Sequence, residues 1–391
     1  MSPPTAVDIP KLIFNEKKDK FKAAKKNFEG PSPHADKASE ASQVTFNGPL
    51  ETSGRLDSKY KFEEETPVIG RIYKDAQLAD ILEDDELVRD LAITISRRGV
   101  VFFRNQNITP EQQKALANKL GRLTGKPKES GLHIHPITPR GGFAKAGSED
   151  EIDPEISLIT SKFQRQGLQD KKLPRLYERK PGGWHSDITF EPVPSDYAIL
   201  KIVQTPETGG DTLWASGYAA YDSLSDPLKR FLESLTGTYA QPGFKKSSEE
   251  EDFDFFTGPR GNPENVGDDL IAHHPLIRTN PVTGWNSIFA LGEHYTSIDG
   301  LSHSESEIIT KLIQDIVFRR HDIRVRYKWS PNDVALWDNR SVYHTATPDI
   351  YEYDDGTERH GVRTVSIGER PFLSEQGKSR ASDLKEKGLK V

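Results

Sequence analysis

The run Asp333-Val334-Ala335-Leu336-Trp337-Asp338-Asn339-Arg340-Ser341-Val342-Tyr343-His344 constrains the fold more than any other part of this chain. Two short β-prone segments flank a polar Asp-Asn-Arg-Ser centre, the pattern of strand, turn and strand. Other short runs of the same character surround it. Val100-Val101-Phe102-Phe103 is continuously apolar, as a buried strand is, and strand-like runs recur at 197–203, 209–215, 274–277, 287–290, 323–327 and 359–368. Helical stretches fall between them without the regular alternation of a parallel sheet. The pattern predicts a mainly β chain with added helices (α+β), a sandwich or jelly-roll (double-stranded β-helix) core with helices packed outside and inserted between strands.

The helices announce themselves locally. Leu78 to Ser96 carries apolar residues at helical spacing around an acidic break, one helix or two. Thr109-Pro110-Glu111-Gln112 is a helix start, with a Thr cap, Pro at the first position and Gln three residues on. Ser216 to Leu235 reads as helix broken near Ser225-Asp226-Pro227, and Ser304-Glu305-Ser306-Glu307 as a capping box before a stripe of Ile308, Ile309, Leu312, Ile313, Ile316 and Val317. Residues 140–182 are charged and poor in apolar anchors, which predicts a long loop of the kind that covers a site.

Residues 1–62 are polar and predict a flexible extension, with one domain over 63–373 and a frayed polar tail over 374–391. Lys17-Lys18-Asp19-Lys20 and Lys25-Lys26 fit a solvated tail better than a nucleic-acid arm, and leave nuclear import open. A net charge of −7 argues against nucleic acid or an anionic membrane as partner. The chain has no cysteine, so any metal would be held by His, Asp and Glu. The sequence contains neither an apolar run long enough to span a membrane nor a signal-peptide core, which points to a cytoplasmic protein; a homo-oligomer is compatible with all of this.

Four places carry possible chemistry. In Trp184-His185-Ser186-Asp187-Ile188, read as a loop turning into a strand, His185 and Asp187 would share a face and supply two-thirds of a 2-His-1-carboxylate site. With 11 histidines and 60 acidic residues in 391, chance alone gives about two such pairs, and the chain has three (His34/Asp36, His185/Asp187 and His303/Glu305). The spacing is therefore weak evidence alone. His133 and His135 share a face of an extended segment, where paired structural imidazoles are the simpler reading. His344 ends the strand–turn–strand run. Arg359 and Arg363 share a strand face, either towards solvent or towards anions.

Taken together and in this order, these stretches resemble the taurine dioxygenase (TauD/TfdA-like) family of Fe(II)- and 2-oxoglutarate-dependent oxygenases, in particular its fungal sulfonate-dioxygenase branch. The likeness rests on His133-Ile134-His135-Pro136, Trp184 to Phe190, Gly209-Gly210-Asp211-Thr212-Leu213-Trp214, Trp337-Asp338-Asn339-Arg340 through His344, and Arg359 with Arg363, and it spans about Val68 to Phe372. The resemblance implies His185, Asp187 and His344 as iron ligands, and Arg359 with Thr212 on the far carboxylate of 2-oxoglutarate. It implies Arg363 and His135 on a small anionic substrate. O2 would oxidise 2-oxoglutarate to succinate and CO2 while a substrate C–H is hydroxylated. At the carbon bearing a sulfonate, hydroxylation collapses to aldehyde and sulfite, a route to sulfur. Two positions depart from taurine dioxygenase, with Pro181 where it has an asparagine and Thr138 where it has a pocket tyrosine. His344 and Arg359 are also separated by a longer loop than the family commonly has.

Three other readings compete: the same chemistry on a carboxylate, sulfate ester, phosphonate or amino acid; an inactive jelly-roll binding protein; and a hydrolytic zinc site. The last lacks a visible general base beside the three ligands.

Overall fold

In the computed structural model the described residues are 48–137, 142–144, 152–162, 183–251, 254–289, 292–349 and 358–390. They form a mixed α/β fold. The first half contains α1 (Arg55–Lys59), β1 (Phe62–Glu64), β2 (Arg71–Tyr73), α2 (Leu78–Leu82), α3 (Asp85–Arg98), β3 (Val100–Phe103), α4 (Pro110–Arg122), β4 (Gly142–Ala144), β5 (Ile152–Thr160) and β6 (Ser195–Gln204). Next come β7 (Thr212–Ser216), α5 (Gly217–Asp222), α6 (Asp226–Glu233), β8 (Thr236–Ala240), α7 (Pro242–Glu251), β9 (Ile271–Pro275), β10 (Ile277–Thr279) and β11 (Asn286–Ile288). The chain continues through β12 (Tyr295–Ile298), α8 (His303–Arg319), β13 (Arg324–Tyr327), β14 (Asp333–Asp338), β15 (Val342–Ala346), β16 (His360–Ile367) and α9 (Arg380–Glu386).

Two sheets matter for the site. The larger has the order β1-β2-β3-β14-β6-β16-β5-β4, and the smaller is β13-β7-β15. Side-chain alternation divides the larger sheet cleanly. Tyr197 and Ile199 of β6, with Val334 and Leu336 of β14, join a cluster with Leu87, Leu91 and Ile95 of α3 and Leu116 and Leu120 of α4. Ala198, Leu200 and Ile202, with Ala335 and Trp337, face the smaller sheet instead. There Phe102 stacks on Tyr327 with ring centroids 4.0 Å apart and meets Trp214 edge-on at 5.3 Å. Behind the smaller sheet, Ala215 and Tyr343 pack with Ala220 of α5, Leu232 of α6 and Ile313 of α8.

Several expectations shift. Packing begins before residue 63: Leu56 is buried against α3, and Leu50 donates its N–H to the Val282 carbonyl. The polar tail is not frayed throughout, because α9 docks through Asp383, which accepts from the Trp285 indole N–H at 2.8 Å. The expected loop over 140–182 contains β4 and β5, and β5 pairs with β16 through Ile159↔Gly361 and Ser157↔Arg363. Asp153, Pro154 and Glu155 in its first half break the apolar alternation by which strands are recognised. The α8 cap is Ser302, two residues before the expected box, with Glu305 closing it. This helix buries Ile313 and Val317 but leaves Ile308 and Leu312 exposed. The break in α5–α6, the Thr109 box and the strand–turn–strand of β14–β15 stand as read. No described helix is long and apolar enough to cross a membrane.

Candidate active site

His344 lies opposite Trp214 in the β15–β7 ladder, and Trp214 points between the sheets, so the His344 imidazole points there too. His185 forms a one-residue bridge to the other side of His344. The His185 N–H donates to the His344 carbonyl at 3.0 Å and the His344 N–H to the His185 carbonyl at 2.8 Å, leaving the two rings 4.3 Å apart. The extended segment stops at this bridge. Residues 187–190 turn, and Ile188 holds φ at +50°, a conformation that β-branched residues rarely adopt. His185 and Asp187 come together across two residues at the end of the extended segment, and the strained turn at Ile188 follows directly after them.

One oxygen of Asp187 faces both imidazoles, 3.9 Å from His185 Nε2 and 3.8 Å from His344 Nε2. Ligand atoms of the three side chains all fall within 4.8 Å of one another, the one such His/Asp/Glu cluster among the described residues. The His185 Nδ1–H donates to the Gly183 carbonyl at 2.8 Å, which leaves the Nε2 lone pair facing Asp187. Burial lowers the His344 pKa to about 3, so this ring is neutral and its lone pair is available. Burial would raise the Asp187 carboxyl, but Arg363, His344 and His185 around it hold it well below the usual carboxylate range. Asp187 Oδ2 is buried without a hydrogen-bond donor. Two imidazole nitrogens, an ionised carboxylate and an unsatisfied buried oxygen fit a divalent iron held on one face.

Beyond His344 the smaller sheet supplies Thr212. Its hydroxyl oxygen accepts from Arg359 Nη2 at 3.1 Å and from the Trp329 indole N–H at 3.0 Å. With both lone pairs engaged, the Thr212 O–H is left to donate from beside a guanidinium. Arg359 is buried, so its charge faces the protein interior.

Arg363 pairs with Leu200 in the β16–β6 register, which sends its guanidinium between the sheets. It donates through Nη1 to Asp187 at 2.8 Å, while its Nε–H is buried with no acceptor. That orphan donor is a place for a second anionic group. His135 packs against Phe244 with ring centroids 4.9 Å apart, and its pKa falls to about 3, first through burial and then through Arg363. His133 instead holds the segment to β16, donating its backbone N–H to the Val365 carbonyl at 2.8 Å. Thr138 and Pro181, and most of the loop between His344 and Arg359, lie outside the described residues.

The sequence reading missed three neighbours. His294 lies 6.5 Å from the His185 ring and packs edge-on against Phe190 at 4.8 Å, and Phe190 meets Phe244 at 5.7 Å. Nothing in the spacing of His294 marks it. The close approach of Gly292, where an added Cβ would come within 3.3 Å of His185 Cα, is the only local hint.

The profile described as "Taurine catabolism dioxygenase TauD, TfdA family" matches residues 61–365. The chain is 44% identical over 347 residues to the alpha-ketoglutarate-dependent dioxygenase btcD of Neocamarosporium betae, covering 85% of this chain and 97% of that protein. It is 29% identical to the alpha-ketoglutarate-dependent sulfonate dioxygenase of Saccharomyces cerevisiae, covering 80% of this chain and 68% of that one. A solved taurine dioxygenase from Burkholderia xenovorans superposes with a TM-score of 0.60 at 29% identity, covering 82% and 92% of the two chains. The profile match encloses His135, His185, Asp187, Thr212, His344, Arg359 and Arg363, and the chain belongs to the TauD/TfdA family of dioxygenases that use Fe(II), 2-oxoglutarate and O2.

Proposed function

We propose that His185, Asp187 and His344 hold Fe(II), that Arg359 and Thr212 hold the far carboxylate of 2-oxoglutarate, and that the substrate is a small organic anion held by Arg363 beside His135. The two facing sheets are then the walls of a jelly roll. Bound iron with 2-oxoglutarate and O2 supplies the oxidation, releasing succinate and CO2 and converting a substrate C–H to C–OH.

The protein's own part is positional. Arg359 offers a planar fork that suits a carboxylate, and Thr212 adds a donor on the same side. Imidazole nitrogens of His185 and His344 with the Asp187 carboxylate would give a ligand set of one negative charge. Phe190 and Phe244 exclude water from the adjoining wall. The observation that carries the anionic substrate is the unsatisfied Arg363 Nε–H beside the metal cluster. Among small anions a sulfonate comes first, through the likeness to sulfonate-oxidising relatives.

A second reading keeps the chemistry on another anion. The neutral imidazole and phenyl wall of His135, His294, Phe190 and Phe244 favours it, since that wall offers no counter-charge to a taurine ammonium. A sulfite-release assay across alkanesulfonates, with succinate followed in parallel, separates the two. Sulfite matching succinate supports the sulfonate. Substrate-dependent succinate without sulfite from carboxylates, sulfate esters or phosphonates assigns the second, and no succinate from any anion sinks the anionic-substrate reading.

A further inference from the structure

We infer that Asn339 is a positioning residue that fastens both halves of the metal site, the Asp187 turn and the wall behind His344, with a single carboxamide. This rests on the reading of His185, Asp187 and His344 as the metal ligands. Asn339 sits on the β14–β15 turn and is 1% exposed. Its side-chain oxygen accepts from the Asp187 backbone N–H at 3.1 Å and from the Trp337 indole N–H at 3.0 Å. Its side-chain nitrogen donates to Ser195 Oγ at 2.9 Å, and its own backbone N–H donates to the Asp196 carbonyl at 2.8 Å. The amide is thus locked at both ends, and its orientation is set by β6.

What it holds explains why holding is needed. Asp187 precedes Ile188, whose φ of +50° makes the turn costly, and a strained turn persists only where its surroundings over-determine it. The Asn339 oxygen supplies one such restraint at the residue that bears the carboxylate. Trp337 lies 4.9 Å from the His344 ring, so the second bond fixes the surface on which that imidazole rests. Groups that orient metal ligands without binding the metal commonly change its affinity by about 10- to 100-fold when removed.

The test is metal binding by the full chain. Co(II), and separately Fe(II) with 2-oxoglutarate under anaerobic conditions, is titrated into wild type, Asn339→Ala, Asn280→Ala and His344→Ala, and the visible bands and midpoints are read. Asn280 is a buried carboxamide bonded at 2.9 Å to Asp338 Oδ2 on the same turn, with no hydrogen bond to Asp187 or Trp337, and so controls for loss of a buried amide that does not hold them. The expected result is weakening of Co(II) binding by about 10-fold or more and a shifted Fe(II) band in Asn339→Ala, with both nearly unchanged in Asn280→Ala. Equal effects in the two variants, or wild-type binding in a folded Asn339→Ala, overturn the inference. If Asn339→Ala does not fold, Ser195→Ala frees one end of the amide; a several-fold loss of affinity supports the inference and an unchanged band overturns it. Metal binding that His344→Ala leaves intact would instead defeat the ligand reading beneath it.

Discussion

Two aspartates, both buried, lie within one hydrogen-bonded neighbourhood and are treated in opposite ways. Asp338 receives five donors: the Arg340 backbone N–H, Arg340 Nε and Nη2, Ser96 Oγ and Asn280 Nδ2. Asp187 receives Arg363 on one oxygen and nothing on the other. In both, burial would raise the carboxyl and neighbouring groups overcome it, Arg340 first for Asp338 and Arg363 first, then the imidazoles, for Asp187. The difference is saturation. Asp338 has its partners within the protein and serves architecture, tying the β14–β15 turn to α3 and to Asn280. Asp187 takes Arg363 on Oδ1, the oxygen that faces the two imidazoles, and keeps Oδ2 without a donor, an arrangement that costs stability and is retained where something else completes it.

The sharpest way to break this contrast is to neutralise each carboxylate in turn. Asp187→Asn should lower turnover by about three orders of magnitude or more and remove the anaerobic Fe(II)–2-oxoglutarate band, at a smaller cost in stability than Asp338→Asn because its partner Arg363 is partly exposed. Asp338→Asn should do the reverse. It takes from the buried Arg340 its nearer charge partner, leaving only Glu369 at 3.4 Å, and should cost about 3–5 kcal/mol in urea unfolding, with metal affinity retained in the folded fraction. Should Asp187→Asn unfold the chain as severely as Asp338→Asn, the distinction between architecture and reserve collapses.

Arg359 tests the cosubstrate end of the pocket. Replacing it with Lys preserves charge but loses the fork that reaches both Thr212 and a carboxylate, so the KM for 2-oxoglutarate should rise about 10- to 100-fold, with kcat less affected. An unchanged KM would move the far carboxylate elsewhere.

How much of this was legible beforehand follows the same division. The elements that depend on local chemistry, such as the Thr109 box, the break before Pro227 and the β14–β15 hairpin, are written in adjacent residues. The ligand set was legible only as a constellation, because no single spacing distinguishes His185/Asp187 from chance. Its geometry was legible only in part: the spacing puts His185 and Asp187 together, but the turn that follows, with positive φ at Ile188, is one that a β-branched side chain argues against. β5 was hidden by its charged residues, and His294 by having no partner in sequence. Each is set by contacts between segments far apart in the chain.

The buried histidines extend the contrast to pH. His274 and His294, like His135 and His344, are held at about 3, first by burial, against an ordinary 6.5. The folded state therefore refuses protons that the unfolded chain accepts below 6.5, and stability present above that pH is lost as pH falls towards 3. Each ring should contribute about 1.4 kcal/mol per pH unit within that window. Urea midpoints of the metal-free protein between pH 7 and 5 should show this slope, and His294→Phe should lower it by one proton's worth. A slope unchanged by that substitution would mean that His294 is not the neutral, buried imidazole described.

The smallest expected effect tests redundancy itself. Ser96→Ala removes one donor of the five on Asp338, yet Arg340 and Asn280 remain on the same oxygen. Tyr197, which also meets Ser96 Oγ, keeps the Ala92 carbonyl at 3.3 Å. A network so supplied should lose only about 1 kcal/mol, the usual net worth of one hydrogen bond, and its metal binding should not move. A loss of 3 kcal/mol or more would show that Asp338 has no surplus, and that its five donors act as one unit. The saturated aspartate would then be as finely balanced as the unsaturated one, with the difference between them lying in the ligand each awaits and not in the margin each holds.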